Sequence, residues 1–198
     1  MSLLTLAVGV AVALVSLPDK ASAEPAKRAR FCLLLNQVTV AEGVPSELVE
    51  SVRARTEAAI AAHAELSPAL PEQAPDPAAR PKAFSAFMKR RGLHAYRLNV
   101  EITSYRHELS EGRRGQELTV HVGLRTFGET MPKPAIGFTG DGQATIKLEI
   151  GRTLRDRDTR AGNREAVELA VEEALSESVR RLEEKYPPKR RRARQKKN

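Results

Sequence analysis

Residues 96–103, Tyr-Arg-Leu-Asn-Val-Glu-Ile-Thr, and 118–125, Leu-Thr-Val-His-Val-Gly-Leu-Arg, decide the fold. In both stretches apolar and polar side chains alternate: Tyr96, Leu98, Val100 and Ile102 in the first, Leu118, Val120, Val122 and Leu124 in the second. A strand turns successive side chains to opposite faces, so this period of two predicts two strands with one buried and one wet face. Glu111-Gly112-Arg113-Arg114-Gly115 supplies the turn between them.

Downstream, Ile136, Phe138, Gly140, Gly142, Ala144, Ile146, Leu148 and Ile150 all keep one parity. Gly140-Asp141-Gly142 could divide this stretch as a hairpin turn, but the unbroken apolar phase favours one bent strand. A helix follows from near Asn163 to about Lys185, with Val167, Val171, Ala174, Leu175, Val179 and Leu182 on its buried side. Glu165, Glu168, Glu172 and Glu173 crowd its first half, and Arg180, Arg181 and Lys185 its end, in the sense of the helix dipole. Pro187-Pro188 stops it.

Upstream, the apolar run from Phe31 to about Val40 suits a buried first strand, parallel to a neighbour through a helical crossover. Pro45 and Ser46 open a helix whose stripe is Leu48, Val52, Thr56, Ala59 and His63. Residues 67–81 hold Pro68, Pro71, Pro75, Pro77 and Pro81 and read as a loop, since proline neither continues a helix nor donates to a ladder. A short helix from about Lys82 to Arg91 then presents Phe84, Phe87 and Met88 to a core, with Gly92 ending it. The expected architecture is an α+β two-layer sandwich: a mostly antiparallel sheet, the three-strand meander plus the buried first strand, with helices on one face.

This single domain spans 31–186, and the segments outside it carry most of the functional signal. Leu3 to Leu17 is an apolar run closing in Ala21-Ser22-Ala23, which satisfies the requirements of a secretory signal, 1–23, with Glu24 the first residue after cleavage. The run is too short for a membrane span. Residues 24–30 read as a flexible connection, and 187–198 as a disordered basic tail. Cys32 is the only cysteine, which excludes an internal disulfide and any metal site built on cysteines. Ala29-Arg30-Phe31 before it does not suit a lipid-attachment motif.

The net charge of +8 is misleading until it is located. Lys189, Arg190, Arg191, Arg192, Arg194, Lys196 and Lys197 supply nearly all of it, so the body is close to neutral. A folded nucleic-acid-binding domain is expected to carry its own basic face. The tail instead reads as a polyanion contact, governed by counterion release and poor in sequence preference. No aromatic interleaves it to stack on bases.

Catalytic chemistry is thinly represented. No nucleophile-elbow glycine pattern occurs, Cys32 sits in an apolar run, and His63, His94, His107 and His121 lack two-histidine metal spacing. His63 reads as helix packing, and the other three as strand surface or strand ends. Asp156-Arg157-Asp158 is a weak candidate for a hard cation, opposed by its arginines. Arg152, Arg155, Arg157, Arg160 and Arg164 form an arginine-rich loop able to hold a phosphate near the last helix. On the wet sheet face, Arg97, Arg125 and Lys147 are candidate protein contacts.

The order of elements together with the export signal resembles the small α/β modules of bacterial envelope proteins, such as the LpoB, CsgG and TolB amino-terminal domains. The resemblance covers most of the chain after residue 23 and implies no functional residues. Sequence reading therefore expects a non-catalytic, exported envelope protein, periplasmic or secreted, without cofactor. It would bind an envelope protein through its domain and an anionic lipid, lipopolysaccharide or wall polymer through its tail. The alternatives are a nucleic-acid-binding protein using the tail, and a hydrolase whose site leaves no signature.

Overall fold

The computed structural model describes residues 29–40, 43–112 and 115–187. Along the chain the elements are β1 (Phe31–Val40), α1 (Ser46–Ala62), β2 (Leu66–Ser67), α2 (Pro81–Arg91), β3 (His94–Glu111), β4 (Gln116–Thr130), β5 (Ile136–Ile150) and α3 (Asp156–Lys185). They form an α+β fold on one five-stranded sheet, ordered β2-β1-β3-β4-β5. β3, β4 and β5 are the expected antiparallel meander. β1 lies inside the sheet, parallel to both β2 and β3, as the helical crossover requires.

The alternation translates directly into burial. Tyr96, Leu98, Val100 and Ile102 of β3 and Leu118, Val120, Val122 and Leu124 of β4 are all buried on the face covered by α1 and α3. β3 runs further than its alternation because a bulge between Ile102 and Ser104 inserts one extra residue and reverses its parity. From there Tyr105, paired with Val122, turns to the core side, and its hydroxyl meets Asn163 of α3 at 3.2 Å.

β5 is one continuous strand, and its glycines mark a close approach. A Cβ on Gly142 would collide with the Ala170 carbonyl oxygen and lie 2.9 Å from the Ala174 Cβ. One on Gly140 would lie 2.9 Å from the Ser178 amide. α3 thus rests on bare backbone. Buried hydroxyls tie the contact: Thr126 Oγ1 donates to the Gly140 carbonyl at 3.0 Å and lies 2.7 Å from Ser178 Oγ, which reaches the Ala174 carbonyl at 2.8 Å.

Two boundaries and the placement of one helix differ from the sequence reading. α1 buries Leu48, Val52, Thr56 and Ile60, while His63 is the exposed residue that ends the helix; its Nδ1 accepts the Glu65 amide at 3.2 Å. α3 begins at Asp156, not near Asn163, so most of the supposed arginine-rich loop is helix. Asp158 accepts the Arg155 amide at 3.1 Å, an N-terminal capping role in place of cation binding. α2 packs at one corner of the opposite sheet face, where Phe84, Phe87 and Met88 meet Cys32 and Ala95. Cys32 and Ala95 alternate with the core residues Phe31, Leu33 and Tyr96, so they point away from α1 and α3. Burial pushes the Cys32 thiol up, leaving it a small apolar packing group.

The outer edge of β5 is guarded by α3. Glu177 Oε2 accepts the Asp141 amide at 2.9 Å, Glu173 Oε2 accepts the Gln143 amide at 2.6 Å, and Lys185 Nζ donates to the Gly137 carbonyl at 3.3 Å. The Asp141 amide, helped by Arg181 and Arg180, holds the Glu177 carboxyl below its ordinary value of 4.5. This contribution is present above pH 4.5 and lost as pH falls through the lower folded value.

Two outcomes follow from this packing. Gly142→Ala is expected to lower stability by about 1–3 kcal/mol through overpacking, read as a shifted urea midpoint at constant slope. Glu173→Ala combined with Glu177→Ala is expected to leave the fold intact but expose unpaired amides, producing concentration-dependent association by light scattering.

Candidate functional site

The tail cations Lys189, Arg190, Arg191, Arg192, Arg194, Lys196 and Lys197 lie outside the described residues, as does the expected signal, 1–23. The chain leaves the described fold at Pro187, on the rim of a cleft of about 660 Å³. The cleft's walls come from the end of α2, the start of β3, the end of β4 and the end of α3, with Arg30 before β1 closing one side.

Arg30 organises this corner. Its Nη1 donates to Glu65 Oε2 at 3.1 Å, and its Nη2 donates to the Tyr186 carbonyl. The guanidinium also lies 5.0 Å from the Phe31 ring centroid. Arg30 therefore fastens the end of α3 to the entrance of β1, although it falls at the close of the stretch expected to be flexible. Tyr186 in turn stacks on His94, with ring centroids 3.7 Å apart.

The electrostatics are one-sided. Among the described residues Arg30, Lys89 and Lys185 line the cleft, and no carboxylate does. Glu65 neutralises Arg30, whereas Lys89 and Lys185 have no acidic partner at ion-pair distance among the described residues. Burial holds the His94 imidazole below its ordinary value of 6.5, and the charges of Arg30 and Lys185 push it the same way. Burial also raises the Tyr96 phenol, with the Tyr186 hydroxyl adding to the effect. The floor is apolar, formed by Met88, Leu93 and Met131 among others. The cleft can hold an anion beside an apolar surface.

Arg97, Arg125 and Lys147 are all exposed on the open sheet face. They are not equivalent. Arg125 Nε meets Asp141 Oδ1 at 2.9 Å across β4 and β5, and Lys147 Nζ meets Glu117 Oε1 at 3.0 Å. Arg97 faces Glu129 in register without forming an ion pair among the described residues. This face is thus a charge-balanced lattice, with His121 Nδ1 and Thr145 Oγ1 3.0 Å apart as a further cross-strand pair.

Of the supposed phosphate loop, Arg152 and Arg155 border a shallow hollow with Arg157, while Arg160 and Arg164 continue along α3. Among the described residues no group of three His, Cys, Asp or Glu side chains is placed to hold a metal ion, and no helix is long and apolar enough to cross a membrane. The cleft itself escaped sequence reading, because its lining comes from distant segments. A signal existed in Lys89, Lys185 and His94 all falling at element ends.

No protein-family model and no curated protein matches the chain. Among solved structures it is similar to a minor lipoprotein from Acinetobacter baumannii, at 12% identity and a TM-score of 0.40, covering 77% of this chain and 92% of that one. It is also similar to a protein described as a lipoprotein from Caulobacter crescentus, at 13% identity and a TM-score of 0.42, covering 77% and 93%. A third is a homologue of a neuraminyllactose-binding hemagglutinin from Helicobacter pylori, at 15% identity and a TM-score of 0.41, covering 80% and 92%.

The titration of His94 has a defined sign. The unfolded chain takes its proton near 6.5 and the folded chain only at lower pH, so stability is full above 6.5 and falls as pH drops below it. Urea midpoints measured between about pH 7.5 and 5.5 are expected to decline, and His94→Gln to flatten that decline. An identical slope in the variant would assign the effect elsewhere.

Proposed function

We propose that this is an exported, non-catalytic envelope protein, whose α+β domain binds or helps assemble another envelope protein while its basic tail attaches it to an anionic surface. One observation carries the reading: the charge is confined to Lys189–Lys197 while the body is close to neutral. The apolar run closing in Ala21-Ser22-Ala23 supports export, with cleavage near Ala23 and a periplasmic or secreted location. Anionic lipid, lipopolysaccharide phosphates and wall polymers are the polyanions such a protein meets. Near a membrane each basic residue contributes about 1 kcal/mol.

The open sheet face is the proposed protein-contact surface, through Arg97, Arg125 and Lys147. Two of these cations already have acidic neighbours, which suits a partner of mixed charge better than a polyanion. The same pairing disfavours the sheet face as a phosphate contact, since paired cations are less able to displace counterions from a polyanion, and leaves the nucleic-acid alternative resting on the tail.

The test is to express the full chain in a bacterial host, fractionate the cells and sequence the amino terminus of the recovered protein. Expected is a chain starting at Glu24 outside the cytoplasm, whose envelope association weakens steeply with salt and is largely lost when 189–198 are removed. Retention unchanged by that truncation would remove the attachment role. A cytoplasmic chain keeping its first residues would move the nucleic-acid reading forward.

A further inference from the structure

We propose that the cleft between the ends of α2 and α3 receives the phosphate of an anionic lipid headgroup. This rests on the reading that the protein meets an anionic surface, and it assigns the folded domain a share of that contact. Lys89 and Lys185 are the phosphate ligands. Both line the cleft without a carboxylate partner among the described residues, and Lys185 keeps donors free after its bond to the Gly137 carbonyl, since an ammonium has three.

Helix dipoles explain a cation at the end of each helix, because the last carbonyls of α2 and α3 attract one. They do not explain why both cations converge on one hollow with an apolar floor. Met88, Leu93 and Met131 offer that floor to the apolar part of an amphiphile, which a free inorganic anion would leave unused. His94 is held neutral at physiological pH, so its N–H can donate to a phosphate oxygen without a second buried charge. Arg30 acts as a positioning residue: engaged by Glu65 and the Tyr186 carbonyl, it fixes the wall against which His94 stacks.

The position of the tail strengthens the case. Lys189 follows Pro187 by two residues, so a tail held at a charged surface keeps the cleft within reach of the same headgroups. A short tether converts the second contact into a local event at high effective concentration.

Five proteins test this: the full chain and the chain lacking 189–198, each with and without Lys89→Gln and Lys185→Gln together, and the full chain with Arg97→Gln and Lys147→Gln. They are sedimented with phosphatidylcholine vesicles containing or lacking phosphatidylglycerol, and the His94 imidazole and Tyr186 ring are followed by NMR with vesicles, glycerol phosphate or inorganic phosphate. The double substitution is expected to weaken binding to the anionic vesicles about 30-fold in both backgrounds. Arg97→Gln with Lys147→Gln, on the open face, is expected to leave it unchanged. Both cleft lysines are exposed, so the thermal midpoint should hold.

Resonance shifts with inorganic phosphate as well as vesicles would identify the phosphate group alone as sufficient, and shifts with vesicles only would identify the intact lipid. Equal vesicle binding with and without the cleft lysines overturns the proposal, even where tail removal still weakens binding. Loss through the lysines but not through tail removal would instead keep the cleft and remove the tail's role.

Discussion

The contact of α3 with the bare backbone of β5 at Gly140 and Gly142 is the constraint on which the remaining structure depends. With no side chain between helix and strand, the helix axis is fixed by backbone sterics, which are far less yielding than interdigitated side chains. Thr126 then donates to the Gly140 carbonyl and Ser178 to the Ala174 carbonyl or to Thr126 Oγ1, so close packing leaves no orphaned hydroxyl there. Everything carried by the long helix inherits that placement. Glu173 and Glu177 reach the strand amides because the helix is this close, and Tyr186 arrives beside His94 and Arg30 because the helix runs this far.

The meander was legible because period-two patterning is a property of the strand alone. Its continuation past Thr103 was not, because a bulge reverses parity without leaving a compositional mark, and Tyr105 then looks like a break in the pattern. α1 illustrates a different failure: Thr56 and His63 lie on the same ideal stripe, but the helix ends before His63, and Ile60 takes the core position. The start of α3 was hidden by Arg155-Asp156-Arg157-Asp158, whose charges suggested a solvated loop, when the capping carboxylate of Asp158 was the signal for a helix. A cleft assembled from the ends of four elements has no linear pattern to detect.

Charge on this molecule follows two regimes. Over the body, cations and acids nearly balance in number, and some meet in cross-strand or helical pairs, such as Arg125 with Asp141 and Arg180 with Glu177 and Glu184. Exposed pairs of this kind contribute little to stability, but they keep the surface potential low. After α3 the balance is lost in the sequence itself, because the basic run begins two residues beyond Pro187. The net charge of the chain is therefore a property of its last ten residues and not of the folded body.

The two sides of the sheet also differ in what they can join. On β5, the outward-facing Gly137 carbonyl and the Asp141 and Gln143 amides are occupied by Lys185, Glu177 and Glu173. On the other side, β1 ends opposite Ile102, and the remainder of β3 to Glu111 pairs only with β4 among the described residues. An added strand meets competition from side chains along 137–143 of β5 but none along the exposed stretch of β3, so the two margins offer an incoming strand unequal seats.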